Sequence, residues 1–376
     1  MGVCGIVMGH AGRCKAIAKE LEKEGIDVIF STYDSAYDFL KKDFKTLYSP
    51  DILWEEKEDG TPDPYATLLK GAPLIKKFLA QVRKEKAYLK KLQPDVILSD
   101  SRYSTLFAGA EKKIPSLFLV NQTKAVLPNV IFKKQVGAFF TWAWSKILKR
   151  ADSILIPDLP YRYSLCKTSL STKNEIIKKY KFTGFCSRKY PKDIPPKEKL
   201  QKELDVESPF VLASISGPGF SKKAVVPYLE RNFKEMKNTY TLLNVADVNK
   251  NFDIKNGTFI KKGWLDEIYK YIKAADLVVS RAGLSTLSDL VTFGKKSIII
   301  PMDGQPEQEE NARNAKRLGI SEIVHQKELK KMDIRKLIRR CLNDKKMEKN
   351  VEKLKKMSKE NNGVKNVKKE ILKAVN

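Results

Sequence analysis

The stretch from Ala275 to Gly319 constrains the fold more than any other part of this 376-residue chain. It opens on an apolar run, Leu277-Val278-Val279, that reads as a buried strand. A turn at Ser280-Arg281-Ala282-Gly283 leads into a helix with Ser285, Thr286 and Asp289 on its first turns. A second apolar run, Ser297 to Ile300, stops at Pro301 and opens into the polar loop 303–310. A further helix through Asn311 and Asn314 ends at Gly319. Strand, turn, helix, strand, loop, helix is the repeating unit of a parallel α/β sheet, whose ligands lie at the carboxyl ends of the strands.

The residues at those ends suit an anionic, hydroxyl-bearing ligand. A helix N-terminus presents unpaired N–H groups and positive potential, so Gly283, Leu284, Ser285 and Thr286 would offer backbone donors and two hydroxyls to a phosphate. Asp289, one turn along, is placed to take two ribose hydroxyls. Glu307 and Gln308 offer acceptors and donors to a sugar. Ordinary capping explains Ser285 or Thr286 singly, but not the whole set.

This constellation resembles the donor signature of GT-B glycosyltransferases, in the group of the murein UDP-N-acetylglucosamine transferase (MurG) and its archaeal relatives. That family carries an Arg-Ser/Ala-Gly turn, a helix with a ribose-binding acid, and a Gln-Gln or acid-Gln pair ahead of an Asn-Ala. The matching residues are Arg281-Ala282-Gly283, Asp289, and Glu307-Gln308 before Asn311-Ala312. Asp289 stands where the family usually has Glu, and Glu307 where it usually has Gln. The resemblance therefore leaves the donor sugar open.

Charge bears on partners rather than on fold. Lys and Arg number 72 against 45 Asp and Glu, a formal charge of +27, which favours polyanions or an anionic membrane surface. The lysines are spread along the chain rather than gathered in a block, so no nucleic-acid partner is expected. Five scattered cysteines (Cys4, Cys14, Cys166, Cys186, Cys341) form no C-x-x-C pair, which argues against a disulfide framework and a zinc site. With two histidines, His10 and His325, a His-rich metal centre is excluded. No segment approaches the roughly 18 apolar residues of a spanning helix, and the N-terminus has no basic-then-apolar leader. The expectation is a cytoplasmic protein, with attachment to the cytoplasmic face of a membrane left open.

Read in order, residues 2–8 form a strand, Gly9 to Arg13 a Gly-rich turn, Cys14 to Glu24 a helix and Ile26 to Ser31 a second strand. The family's G-x-G-H-x-x-R-type sequence is matched by Val7-Met8-Gly9-His10-Ala11-Gly12-Arg13, with Met8 in place of one Gly. The resemblance places His10 at an interdomain cleft, either as the base that takes the proton of an attacking hydroxyl or as an organiser of the acceptor site with Gly9 and Arg13. Residues 63–92 read as a Lys-rich helix. The strand Pro94 to Asp100 ends in an acid that either faces the cleft as a second acceptor-site candidate or caps the next helix. The strand Ile114 to Val120 is followed by Asn121-Gln122, as in archaeal relatives.

Within 127–150, Phe132, Val136, Phe139, Phe140, Ala143 and Ile147 recur at helical spacing beside Trp142 and Trp144. Lys133, Lys134, Lys146, Lys149 and Arg150 flank them. This suits either an interfacial helix on an anionic bilayer or a core helix of the first domain.

Ala151 to Ile156 reads as the last strand of the first half, and 157–200 as a connector. Inside it, Thr183 to Arg188 resembles the family's interdomain T-G-N-P-x-R, whose Arg reaches the donor diphosphate; this implies a binding role for Arg188. The second half restarts with the strand Pro209 to Ser214. The loop Ser216-Gly217-Pro218-Gly219 stands in the place of the family's G-G-S-x-G, and Trp264-Leu265 in that of the pair that holds uracil.

The expected architecture is α/β of GT-B type, two Rossmann-like domains over 1–185 and 190–355 facing across a cleft, with 356–376 returning as a helix to the first. The resemblance implies inverting transfer of a sugar, N-acetylglucosamine or a related hexose, from a UDP donor to a polyprenyl-linked or nucleotide-linked acceptor of a murein-like or pseudomurein-like polymer. It implies no obligatory metal and no other cofactor. Two alternatives share the sequence features: a UDP-N-acetylglucosamine 2-epimerase, which would need more cleft acids and histidines, and a non-catalytic nucleotide-sugar-binding subunit, which would carry one half of the fold.

Overall fold

Short runs rich in Leu, Ile and Val, separated by amphipathic helices, build two seven-stranded sheets. The computed structural model describes residues 1–5, 8–52, 71–124, 133–217, 219–247 and 249–375. The chain divides into one unit of Met1–Arg188 with Asn361–Asn376, and a second of Lys189–Glu360.

The first unit contains β1 (Gly2–Val3), β2 (Phe30–Thr32), β3 (Thr46–Tyr48), β4 (Ile97–Asp100), β5 (Ser116–Leu119), β6 (Ser153–Ile156) and β7 (Tyr180–Phe182). They lie in the order β3-β2-β1-β4-β5-β6-β7 with every pair parallel. Its helices are α1 (Met8–Glu22), α2 (Asp34–Leu40), α3 (Gly71–Leu92), α4 (Tyr103–Glu111), α5 (Lys133–Leu148) and the short α6 (Asn174–Ile177). The central strands β4, β5 and β6 are buried along their whole length, as parallel strands covered on both faces must be. The order reverses between β1 and β4, which leaves an opening at their carboxyl ends.

The last helix, Gly363–Val375, completes this unit. Val364, Val367 and Ile371 fall on one helical face and join Ile17 and Leu21 of α1 and Leu98, Leu117, Leu119 and Leu155 of the sheet in one core cluster. Its start is pinned by Gly363 N–H on the Phe185 carbonyl at 3.1 Å and by the Asn366 amide on the Thr183 carbonyl at 2.7 Å. Gly184 has φ +84, and a Cβ there would lie 1.8 Å from the Asn361 carbonyl oxygen, so only glycine fits.

The second unit contains β8 (Phe210–Ser214), β9 (Tyr240–Asn244), β10 (Asp253–Asn256), β11 (Phe259–Lys262), β12 (Leu277–Ser280), β13 (Lys296–Ile299) and β14 (Ser321–Ile323), in the order β10-β11-β9-β8-β12-β13-β14. Its helices are α7 (Lys197–Glu203), α8 (Gly219–Lys222), α9 (Val225–Lys234), α10 (Ile268–Ala274), α11 (Leu284–Thr292), α12 (Pro306–Arg317), α13 (Ile334–Asn343) and α14 (Lys345–Glu360). Here the order reverses between β8 and β12. All pairs are parallel except the β10–β11 hairpin, whose edge strand β10 is exposed at every residue and presents polar groups to solvent.

Several sequence expectations change. The strand read over 2–8 is confined to Gly2–Val3, and α1 already begins at Met8; Ile6 and Val7 lie outside the described residues. Ala151 to Ile156 is not the last strand of its half, because Tyr180–Phe182 pairs with β6 as β7. Three residues with a lysine in the middle carry no apolar run, so only pairing reveals that strand. Residues 63–70 of the Lys-rich helix and 127–132 of the aromatic stretch lie outside the described residues.

Candidate functional site

In the first unit, the reversal between β1 and β4 brings the first turns of α1 to the end of β4. His10 and Arg13, three residues apart on one helical face, meet Asp100, the last residue of β4. Asp100 is 0% exposed, and four donors fill its two oxygens. His10 Nδ1 lies 2.8 Å and Arg13 Nη2 2.5 Å from Oδ1; Arg13 Nε lies 2.6 Å and Cys14 Sγ 3.1 Å from Oδ2. Burial alone would raise the Asp100 carboxyl, but the Arg13 guanidinium, then His10, hold it well below the ordinary carboxylate range. Burial and the Asp100 charge push the Cys14 thiol well up, so its sulfur stays a donor.

A carboxylate only accepts, so the His10 contact requires the proton on Nδ1, and in the uncharged ring Nε2 is then the acceptor. Arg13 Nη2 also lies 3.0 Å from Nδ1. Since both are then donors, that approach is a contact and not a second bond.

One expectation is corrected here. Asp100 does not face an acceptor, because it is fully buried and its oxygens are saturated; nor does it cap α4, whose N-cap is Arg102. Arg13 gives Nε and Nη2 of its guanidinium to Asp100. Gly9 and His10 lie in the first turn of α1, with the His10 side chain 17% exposed. Arg188 is exposed and runs over α1: a Cβ on Gly12 would lie 2.9 Å from its Cδ. It belongs to the first unit.

In the second unit the loops after β8 and β12 flank the reversal. Ser216 and Gly217 are exposed. Gly217 has φ +112, and a Cβ there would lie 2.9 Å from Ser221 Oγ, so the loop needs glycine on both counts. Pro218 lies outside the described residues; Gly219 starts α8. Gly283 caps α11 in an extended conformation with no side-chain cap bond. The N–H groups of Leu284, Ser285 and Thr286 therefore have no acceptor within the helix, and Ser285 is exposed beside them.

Asp289 is half-buried and accepts from the Tyr269 hydroxyl at 3.1 Å. The Tyr269 ring stacks on Phe293 with centroids 5.6 Å apart, which fixes the hydroxyl. Tyr269 was not legible as a site residue, because it lies on α10 and meets Asp289 only through packing. Trp264 is 47% exposed, its indole N–H bonded to Asp266 at 3.1 Å, while Leu265 is buried beneath the same loop. Glu307 is half-buried in the first turn of α12, where a negative charge is favoured.

Gln308 and Arg281 turn inward instead. Gln308 Oε1 accepts from the backbone N–H of Ala282 at 3.3 Å and of Met302 at 3.1 Å, and its amide donates to Gln305 Oε1 at 3.2 Å. Its oxygen is spent on the two loops and is not free for a sugar. Asn311 completes the clasp by donating to the Ala282 carbonyl at 3.1 Å. Arg281 is 2% exposed and donates to the Ile300 carbonyl at 3.1 Å, to Gln326 Oε1 at 3.0 Å, and to the Ser221 carbonyl. Burial lowers its pKa to about 10, opposed by Asp303. It ties the loops together from inside. Among the described residues, no group of three His, Cys, Asp or Glu side chains is placed to hold a metal.

Both halves match glycosyltransferase family models. Residues 1–140 match the model described as Glycosyl transferase family 1, and residues 229–371 the Glycosyltransferase family 28 C-terminal domain. The chain is 26% identical to an uncharacterized glycosyltransferase of Methanosarcina acetivorans, over 98% of this chain and 96% of that protein. It is also 26% identical to the UDP-N-acetylglucosamine--N-acetylmuramyl-(pentapeptide) pyrophosphoryl-undecaprenol N-acetylglucosamine transferase of Thermodesulfovibrio yellowstonii, over 72% of this chain and 71% of that protein. The solved glycotransferase of kitacinnamycin shares the fold, with TM-score 0.71 and 13% identity over 99% of this chain and 98% of that one. The fold, the paired family matches and these relatives define the chain as a glycosyltransferase of GT-B type. Within that class it is related to the MurG group.

Proposed function

We propose that this glycosyltransferase transfers a sugar, N-acetylglucosamine or a close relative, from a UDP donor with inversion at the anomeric carbon. The observation that carries the donor assignment is the uncapped N-terminus of α11 after Gly283, with exposed Ser285 beside it and Asp289 one turn along. Free N–H groups at a helix start bind a diphosphate, and a carboxylate oriented by Tyr269 suits vicinal ribose hydroxyls. Gly217 lets the loop after β8 approach the same phosphates, Trp264 and Leu265 hold the base, and Glu307 reads the sugar.

In this reading the acceptor hydroxyl attacks the anomeric carbon, its proton passes to His10 Nε2, and the bond to the diphosphate oxygen breaks. The departing charge is met by the α11 amides rather than by an obligatory metal, so turnover survives chelation. A thermal-shift panel of UDP, UDP-N-acetylglucosamine, UDP-glucose and GDP-mannose tests the donor site, because a ligand bound only to the folded state raises the melting temperature. Stabilisation by UDP species that Asp289→Ala abolishes supports it; no response to any nucleotide refutes it.

The acceptor we propose is an anionic polyprenyl-phosphate-linked intermediate met at a membrane surface. Trp142 on α5 is 49% exposed with the Lys146 ammonium 5.2 Å over its ring, an apolar face beside a cation of the kind that suits an anionic interface. Trp144 turns the other way and stacks on Tyr103 at 5.7 Å, so α5 serves both core and surface. Sedimentation with anionic vesicles, weakened by Trp142→Ser, checks this; equal binding to neutral vesicles counts against it.

A further inference from the structure

The Asp100 carboxylate is saturated: of its four donors, Arg13 supplies two, Nε and Nη2 along one edge of its guanidinium, and His10 and Cys14 one each. A fork bound to both oxygens fixes the plane of the carboxylate as well as its position. That plane decides which ring nitrogen of His10 faces an acceptor. Asp100 is paired in charge before His10 enters the account, so the cluster of Arg13, Asp100 and neutral His10 is electrically balanced. Arg13 Nη2 lies 3.0 Å from His10 Nδ1, so the guanidinium borders the ring edge that faces Asp100.

We infer that Arg13 is a positioning residue for the transfer reaction: it locks the plane of Asp100 so that His10 donates from Nδ1 and presents Nε2 outward. The consequence for turnover rests on the reading of His10 as the base. An Asp–His pair alone leaves the carboxylate free to turn and either ring nitrogen free to meet it; the bidentate contact from Arg13 removes that freedom. The titratable and charged groups gathered about this cluster include Arg13 and Cys14 on α1, Asp100 from β4, Cys4, whose N–H donates to the Asp100 carbonyl at 3.1 Å, the Met1 ammonium near Cys14, and Cys186 and Arg188 from the segment after β7. Cys186 is pushed up to about 12, chiefly by burial, and stays neutral beside them.

Nitrogen-15 NMR of the full chain labelled at histidine tests this directly. There are two histidines to assign, and His325→Asn identifies the remaining signal as His10. The uncharged ring of the wild type is expected to carry its proton on Nδ1 and leave Nε2 bare. Arg13→Met is expected to show a mixture of the two tautomers, with kcat reduced at least tenfold and KM little changed. Arg13→Lys, which restores the charge without the bidentate contact, is expected to resemble Arg13→Met rather than the wild type.

An uncharged wild-type ring that carries its proton on Nε2 overturns the inference without any variant, so the test does not depend on Arg13→Met folding. An undiminished Nδ1–H preference in Arg13→Met overturns it as well. If His10→Asn retains full turnover, the base reading fails, whereas the tautomer result stands or falls on the spectra alone.

Discussion

His10 Nδ1 and Asp100 Oδ1 stand 2.8 Å apart although 90 residues separate them. The contact exists because β1 and β4 are neighbours at the reversal of the first sheet, so the helix leaving β1 meets the end of β4. Removing the ring by His10→Ala is expected to lower kcat by roughly 10² to 10⁴, the usual worth of a positioned general base. UDP affinity should be unchanged. Steady-state kinetics beside UDP titration separates the two; equal loss of both would mean a structural role only.

Asp100 also ties stability to pH. Its folded carboxyl is held well below the ordinary 3.8 by Arg13 and then His10, against the opposing effect of burial. The unfolded chain therefore binds the extra proton. The stabilisation is complete above pH 3.8 and is lost as the pH falls below it. The stability gap between wild type and Asp100→Asn, measured by urea unfolding, should be widest near neutrality and narrow below that pH. A gap that widens in acid would contradict the assignment.

The Tyr269 hydroxyl donates to Asp289 Oδ2 at 3.1 Å. Tyr269→Phe keeps the ring stack and deletes the hydroxyl. A hydrogen bond to a charged group is worth about 1.5–3 kcal/mol, so UDP affinity should fall roughly tenfold or more. Melting temperature without ligand should hardly move. Affinity for a 2′-deoxy analogue, which lacks one of the hydroxyls, should fall less.

Arg281→Met tests the inward reading of that residue. It removes the guanidinium donor from the carbonyls of Ser221 and Ile300 and from the amide oxygen of Gln326. A hydrogen bond to a charged group is worth about 1.5–3 kcal/mol, so the second unit should lose several kcal/mol in denaturant. A variant as stable as wild type but unable to bind UDP would return Arg281 to the ligand.

The sequence alone determined the α/β alternation, the strand–turn–helix at 277–292 and the loop glycines, because each depends on local periodicity and on backbone angles that few residues allow. His10, Asp289 and the α11 turn were legible for the same reason: each sits at a strand end or a helix start that a short motif marks. The tertiary structure decided the rest. Whether Arg281 and Gln308 face a ligand or the interior depends on which carbonyls and N–H groups come within reach when β13 lies beside β12. Whether Asp100 is a free acid or a saturated anchor depends on Arg13, which meets it across 87 residues. Nothing local distinguishes those cases, because a polar side chain takes its role from partners that only the fold assembles.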